Sequence, residues 1–212
     1  MNAKLINQWE KLKENPSETY KSFFIAEKKF LEDNIPESSI VLDIGCGSGE
    51  HLVFLSKTVK EVYGIDNDEN AISRAKVNTT NLKNVKILLE DAEKMNFKNN
   101  YFDRVICMGT TFGNFGSTQS KVLLEIRRIL KNKGLFLFSI YNENALDERL
   151  WMYKKYCKSV EVKDNGIVFI DKVISKQFFE EEIRKILGNN GFEIVEIVKR
   201  DIFYLIKAGV KK

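Results

Sequence analysis

The segment Asp43-Ile44-Gly45-Cys46-Gly47-Ser48-Gly49 follows the apolar run Ile40-Val41-Leu42. Gly45, Gly47 and Gly49 permit positive φ and let backbone approach a ligand, and a helix starting just after them offers free N–H groups. So far any nucleotide would fit. The dinucleotide fingerprint needs G-x-G-x-x-G, and counted from Gly45 its last position is Glu50, a carboxylate where a pyrophosphate would lie. The phosphate-loop pattern G-x-x-x-x-G-K-[ST] is absent as well, so a phosphate ligand is disfavoured. Asp66, with Asn67 beside it, closes the next apolar run, Val62-Tyr63-Gly64-Ile65, where a carboxylate can accept hydrogen bonds from both hydroxyls of a ribose. Together these residues ask for a nucleoside with an unmodified ribose and no phosphate.

The elements that must position these groups are legible from periodicity. Leu5, Trp9 and Leu12, then Tyr20, Phe23, Phe24, Phe30 and Leu31, predict two N-terminal helices separated at Asn15-Pro16. After Pro36, strands predicted at Ile40–Leu42, Val62–Ile65, Val85–Leu89, Asp103–Met108 and Leu135–Ile140 alternate with helices through Leu52 to Leu55, Ala71 to Ala75 and Val122 to Leu130. This rhythm implies an open, doubly wound α/β sheet, mostly parallel and covered on both faces. Ligands in such sheets bind just past the carboxyl ends of the strands, and Asp43 to Gly49, Asp66, Asp91 and Met108 to Gly116 all fall there. Beyond Tyr141 the rhythm breaks. Asp164-Asn165-Gly166, between Val160–Lys163 and Ile167–Ile174, predicts an inserted β-hairpin. A helix from Ser175 and two strands, Phe192–Val198 and Phe203–Lys207, are expected to finish the chain. One domain over 1–212 is the simplest organisation: helices over 1–38, a core over 39–140, an insertion over 141–174 and a closing segment over 175–212.

Composition narrows the partners. Lys and Arg number 34 against 30 Asp and Glu, a formal charge of +4 without a basic block, which argues against nucleic acid. No stretch is apolar enough to span a bilayer, and Met1 to Trp9 lacks the continuous apolar run of a signal peptide. Cys46, Cys107 and Cys157 form no close pair and His51 is the lone histidine, so no disulfide framework or metal site is expected, and a reducing cytoplasm fits best. Cys46 reads as a small loop residue, Cys107 as core, and His51 as a helix residue outside the chemistry.

S-adenosylmethionine has a ribose and no phosphate, and its amino-acid portion and sulfonium are compatible with nearby acids. At this point the chain resembles the class I S-adenosylmethionine-dependent methyltransferases, through Val41 to Gly49, Gly64-Ile65-Asp66, Glu90-Asp91-Ala92 and Phe102-Asp103-Arg104-Val105-Ile106, in order over roughly Ser39 to Ile140. The resemblance implies a Rossmann-like, seven-stranded, mostly parallel sheet with an antiparallel last strand. It puts the methionine part of the cofactor on Asp43, Gly45, Cys46, Gly47 and Gly49, the ribose on Asp66 with Asn67, and the adenine edge on Asp91 and the Ala92 backbone. Met108 would lie near the sulfonium. Tyr20 is a further cofactor candidate, as part of an N-terminal lid whose aromatic face can stabilise a cation. Thr110, Asn114 and Tyr141 are candidates on the acceptor side.

Methyl transfer from a sulfonium to a small-molecule acceptor, leaving S-adenosylhomocysteine, is the expected reaction. Two rivals stay open: an RNA or protein methyltransferase, and a module that binds the cofactor without turnover. The departure Met108-Gly109-Thr110-Thr111, where Asn-Pro-Pro-Tyr would mark a base N-methyltransferase, counts against that class. Redox use of a nicotinamide cofactor is weakened by Glu50. No general base or oligomeric state is assigned.

Overall fold

The computed structural model describes residues 11–163, 166–170 and 173–211. Leu5 and Trp9, from the first expected helix, and Asp164 and Asn165, from the expected turn, lie outside them. Helix α1 (Glu18–Asn34) starts where Ser17 caps it, its Oγ accepting from the Tyr20 N–H at 3.3 Å. Then follow β1 (Ile40–Ile44), α2 (Glu50–Leu55), β2 (Glu61–Asp66), α3 (Glu69–Asn78), β3 (Val85–Leu89), β4 (Phe102–Cys107), α4 (Gln119–Ile129) and β5 (Leu130–Asn142). The remainder comprises α5 (Leu146–Tyr156), β6 (Val160–Lys163), β7 (Ile167–Ile170), β8 (Val173–Phe178), α6 (Glu180–Asn189), β9 (Phe192–Lys199) and β10 (Phe203–Val210).

The central sheet runs β3-β2-β1-β4-β5-β10-β9. Neighbours from β3 to β5 pair in parallel, and β10 lies antiparallel between β5 and β9. The Rossmann-like architecture is therefore the one the motifs imply, with the antiparallel last strand slotted inside the edge. Strand order reverses between β1 and β4, which opens a crevice at their carboxyl ends. Alternation along β5 divides the core: Leu137 packs with Phe23, Leu31, Val41 and Leu52, whereas Phe136 and Phe138 pack with Phe102, Phe112, Ile126 and Phe178. Phe136 and Phe138 stack at 4.5 Å between centroids.

Two expectations need correcting. The hairpin exists, β6 pairing antiparallel with β7, but it is only part of the insertion: β7 also pairs antiparallel with β8, and α5 precedes all three. The helix expected from Ser175 begins at Glu180, with Phe179 as its N-cap and Ser175–Phe178 belonging to β8. The cause is an inverted pattern. Ser175 and Gln177 are the buried residues of β8's inner face, kept there by Arg149, so the polar side of the strand faces inward.

Candidate active site

Two adjoining clefts open at the carboxyl ends of β1, β2 and β4, and both are bordered by Gly45 and Thr111. The smaller, about 80 Å³, is walled by Gly45, Cys46, Gly47 and Ser48 from the glycine loop, by Met108 and Gly109 after β4, by Phe24, Glu27 and Lys28 of α1, and by Lys13, Glu50 and His51. The larger, about 450 Å³, is walled by Asp66 and Asn67 after β2, Asp91 and Ala92 after β3, Asn114 and Phe115, and Val173 and Ile174 of the insertion.

Local geometry explains the loop. Gly45 has φ +72°, and a Cβ added there would lie 2.5 Å from Thr111 Cγ2, so only glycine lets the β4 turn approach this closely. Gly47, at φ +54°, has nothing within 4 Å of where a Cβ would be, which leaves its backbone open to a ligand. The Asp66 carboxylate braces this turn: Gly47 N–H donates to Oδ2 at 3.1 Å and Asp68 N–H to Oδ1 at 3.0 Å. Gly49 is not on the cleft wall; at φ +86° it caps α2 and packs on Ala75. Thr110, a β-branched residue at φ +60°, holds the turn after β4 by donating its N–H to Ser139 Oγ at 3.1 Å. Backbone in that region is strained for such a residue, and here it lies buried between Gly109 and Thr111, which border the smaller cleft.

Tyr20 and Tyr141 are brought together, their hydroxyls 2.9 Å apart and both side chains buried, and neither borders the clefts. They stand behind the α1 wall, with the Arg149 guanidinium 4.8 Å from the Tyr141 ring centre. Burial raises both phenols well above the usual range.

Carboxylates dominate the electrostatics. Asp43, 1% exposed, carries an Oδ2 with no hydrogen-bond partner among the described residues, and burial, then the charges of Asp66 and Glu27, push its pKa up to about 8. Burial acts upward on Glu50 as well, but Lys13 and Lys28, both ion-paired to it, bring it down to about 2. Desolvation drops His51 to about 4 and leaves it neutral, which disfavours it as a cation for a ligand carboxylate, although it does border the smaller cleft. Burial lifts the Cys46 and Cys107 thiols, so neither is an activated nucleophile. Among the described residues no His, Cys, Asp and Glu group could hold a metal ion.

One residue was missed. Glu27 is 2% exposed, and its Oε1 accepts from Gly109 N–H at 2.8 Å and from Ser139 Oγ–H at 2.5 Å. The signal was there to find: Tyr20, Phe23, Glu27, Phe30 and Leu31 form the buried stripe of α1, and a lone charge on an apolar stripe is a functional flag.

The raised carboxyls set a pH dependence of folding. Asp43 and Glu27 keep their protons in the folded chain at pH values where an unfolded chain has released them, so their contribution is greatest at low pH and is lost as pH rises through about 7 to 8. His51, depressed in the fold, acts in the opposite direction only below its ordinary pKa of about 6.5. The ligand-free protein is therefore expected to melt at lower temperature at pH 8 than at pH 6.5, and Asp43→Asn to flatten that decline. A melting temperature that rises across this interval would refute the assignment of buried protons.

Residues 36–191 match the family model described as a methyltransferase domain. The chain belongs to that family. The class I methyltransferase resemblance read from the motifs accordingly stands, and the protein is an enzyme of that class. Relatives of this methyltransferase include an uncharacterized protein of Methanocaldococcus jannaschii, 30% identical over 200 residues, 88% of this chain and 75% of that one. They also include a ribosomal protein L11 methyltransferase of Thermoanaerobacter pseudethanolicus, 30% identical over 141 residues, 65% of this chain but only 44% of its relative. Among solved structures, an S-adenosylmethionine-dependent methyltransferase from Clostridium acetobutylicum superposes with a TM-score of 0.75 at 18% identity, covering 99% of this chain and 98% of that one. At that identity the likeness speaks for the fold.

Proposed function

We propose that this methyltransferase holds S-adenosylmethionine along the two adjoining clefts and transfers its methyl group to a small-molecule acceptor. The observation that carries the reading is the course of the clefts, from the glycine loop and the turn after β4 to the ends of β2 and β3. That course suits an amino-acid end at Gly45, Cys46 and Gly47, a ribose at Asp66 and Asn67, and an adenine at Asp91 and Ala92. The group fits on two counts: open backbone at Gly47, and the Glu27 carboxyl bordering the smaller cleft for its cationic half. Among the described residues nothing along this course offers the array of cations a phosphate would need, and the lysines bordering it are paired with Glu50.

When bound, the cofactor supplies an activated methyl on a positively charged sulfur. The chain's own work is alignment and exclusion of water. Holding an acceptor in line at about 3–3.5 Å can supply roughly 7–11 kcal/mol through proximity and orientation alone. Phe24 and Glu27 from α1 border the smaller cleft, and Val173 and Ile174 from the insertion the larger, and this partial cover from both elements favours a small acceptor. Thr111, which borders both clefts, and Asn114, which borders the larger, are polar groups placed to meet an acceptor.

Calorimetric titration of protein stripped of cofactor should give micromolar binding of S-adenosylmethionine and S-adenosylhomocysteine. Incubation with isotopically labelled cofactor and a fractionated cell extract should then place label in the small-molecule fraction. Label appearing in protein or RNA instead would overturn the acceptor class while leaving the cofactor assignment intact. Absence of binding by folded protein would overturn both.

A further inference from the structure

Glu27 joins three elements at one point. It projects from α1 onto the end of β4, where Gly109 N–H meets its Oε1, and onto β5, where Ser139 Oγ–H meets the same oxygen while accepting from Thr110 N–H. Neither bond involves Oε2, and the side chain borders the smaller cleft beside Met108 and Gly45. A carboxyl buried to this degree beside open cleft space, with two donors already fixed on one oxygen, is held in place before any ligand arrives. A purely structural staple would not need the charge, since glutamine would accept the same two bonds.

We propose that Glu27 is the anionic partner of a cationic centre in the amino-acid half of the cofactor, the sulfonium or the α-ammonium, so that binding of the cofactor expels the proton from this carboxyl. The inference rests on the cofactor reading above and adds to it a residue, a charge and a proton balance: the ligand brings a positive charge, the carboxyl becomes carboxylate, and one proton leaves to solvent. The resting state is suited to this, because burial, opposed by the Ser139 and Gly109 hydrogen bonds, raises the Glu27 pKa to about 7. The charged and titratable groups facing it are Lys13 ahead of α1, Asp43 on β1, Glu50 on α2 and the Cys107 thiol on β4. Of these, Lys13 is paired with Glu50, so no cation is dedicated to Glu27 among them. A cationic ligand would supply the missing charge.

The test is calorimetry at pH 7 in phosphate and in Tris, whose different ionisation heats reveal the protons exchanged on binding. Wild type and Glu27→Gln are each titrated with S-adenosylmethionine, S-adenosylhomocysteine and 5′-methylthioadenosine, which lacks the amino-acid half. Wild type is expected to release about half a proton more than the variant on binding S-adenosylmethionine, since a carboxyl of pKa near 7 is half protonated there. Its affinity should fall about tenfold more than the variant's between pH 8 and pH 6, the linkage expected of one proton. Where Glu27 pairs with the ligand's own amine, it favours the ammonium, so the amine can only take up protons on binding and cannot produce the excess release. Equal release with S-adenosylhomocysteine assigns the ammonium as partner, release confined to S-adenosylmethionine assigns the sulfonium, and the neutral nucleoside should show neither. Equal proton release by wild type and variant, with both binding, would overturn the inference and leave the cofactor reading standing. Failure of both proteins to bind either amino-acid-bearing ligand would overturn the cofactor reading and this inference with it.

Discussion

Asp66→Ala should raise the dissociation constant for S-adenosylmethionine about 100-fold. Two hydrogen bonds from ribose hydroxyls to a carboxylate contribute about 1.5 kcal/mol each or more, and a loss of about 3 kcal/mol corresponds to that factor. The side chain also braces the glycine loop through Gly47 and Asp68, so under the proposed cofactor placement the substitution removes a ligand contact and a support together. Asp66→Asn separates the two, because its amide oxygen can still accept from one of these N–H groups while the charge is gone. The ligand-free alanine variant should also melt earlier, since the Gly47 and Asp68 N–H groups lose their buried acceptor. Calorimetric titration reads the affinity and thermal melting the fold. An affinity within threefold of wild type would remove Asp66 from the ribose site and redirect attention to the cleft floor at Asn67 and Asp91.

Arg149→Ala is expected to destabilise the protein by about 3–5 kcal/mol, the scale of a large-to-small change in the core that also leaves buried acceptors without donors. The Arg149 side chain is fully buried; its two terminal nitrogens donate to Gly166 O and Gln177 Oε1 at 2.9 Å, and to Ser175 O at 2.5 Å and Ser175 Oγ at 3.0 Å. Its Nε has no partner, a cost the guanidinium already bears in the folded state. Truncation would strand four acceptors away from water and open a cavity against Tyr141 and Tyr153. Because Arg149 ties α5 to β8, the variant should also expose the insertion to hydrogen exchange before the central sheet opens. Arg149→Met refills most of the volume without restoring donors, so the difference between the two variants isolates the cavity. Urea denaturation is the measurement; a loss below 1 kcal/mol for the alanine variant would show that water replaces the guanidinium at little cost.

These two residues differ in how visible they were in the amino-acid sequence. Asp66 closes an apolar strand at a fixed remove from a glycine loop, and both ends of that pattern are local, so backbone geometry alone confines what the loop can do. The strands β1, β2, β4 and β5 were equally legible, because a strand buried on both faces reads as an apolar run wherever it lies in the chain. Arg149 and β8 were not. The polar face of β8 is buried only because a guanidinium from a helix some 26 residues earlier reaches it, and no local pattern reports a partner that distant.

Glu27 lies between these cases. Its place on the apolar stripe of α1 was written in the sequence, but its meaning was not, because the donors that fix it come from the ends of β4 and β5. The sequence by itself determined the local chemistry of this protein: which turns could approach a ligand, which carboxylates ended strands, and which segments had to be buried. Only the tertiary structure decided which polar groups were buried alongside them. Burying a charge is favourable only when distant parts of the chain supply the hydrogen bonds, so Glu27 and Arg149 acquire their roles through the fold.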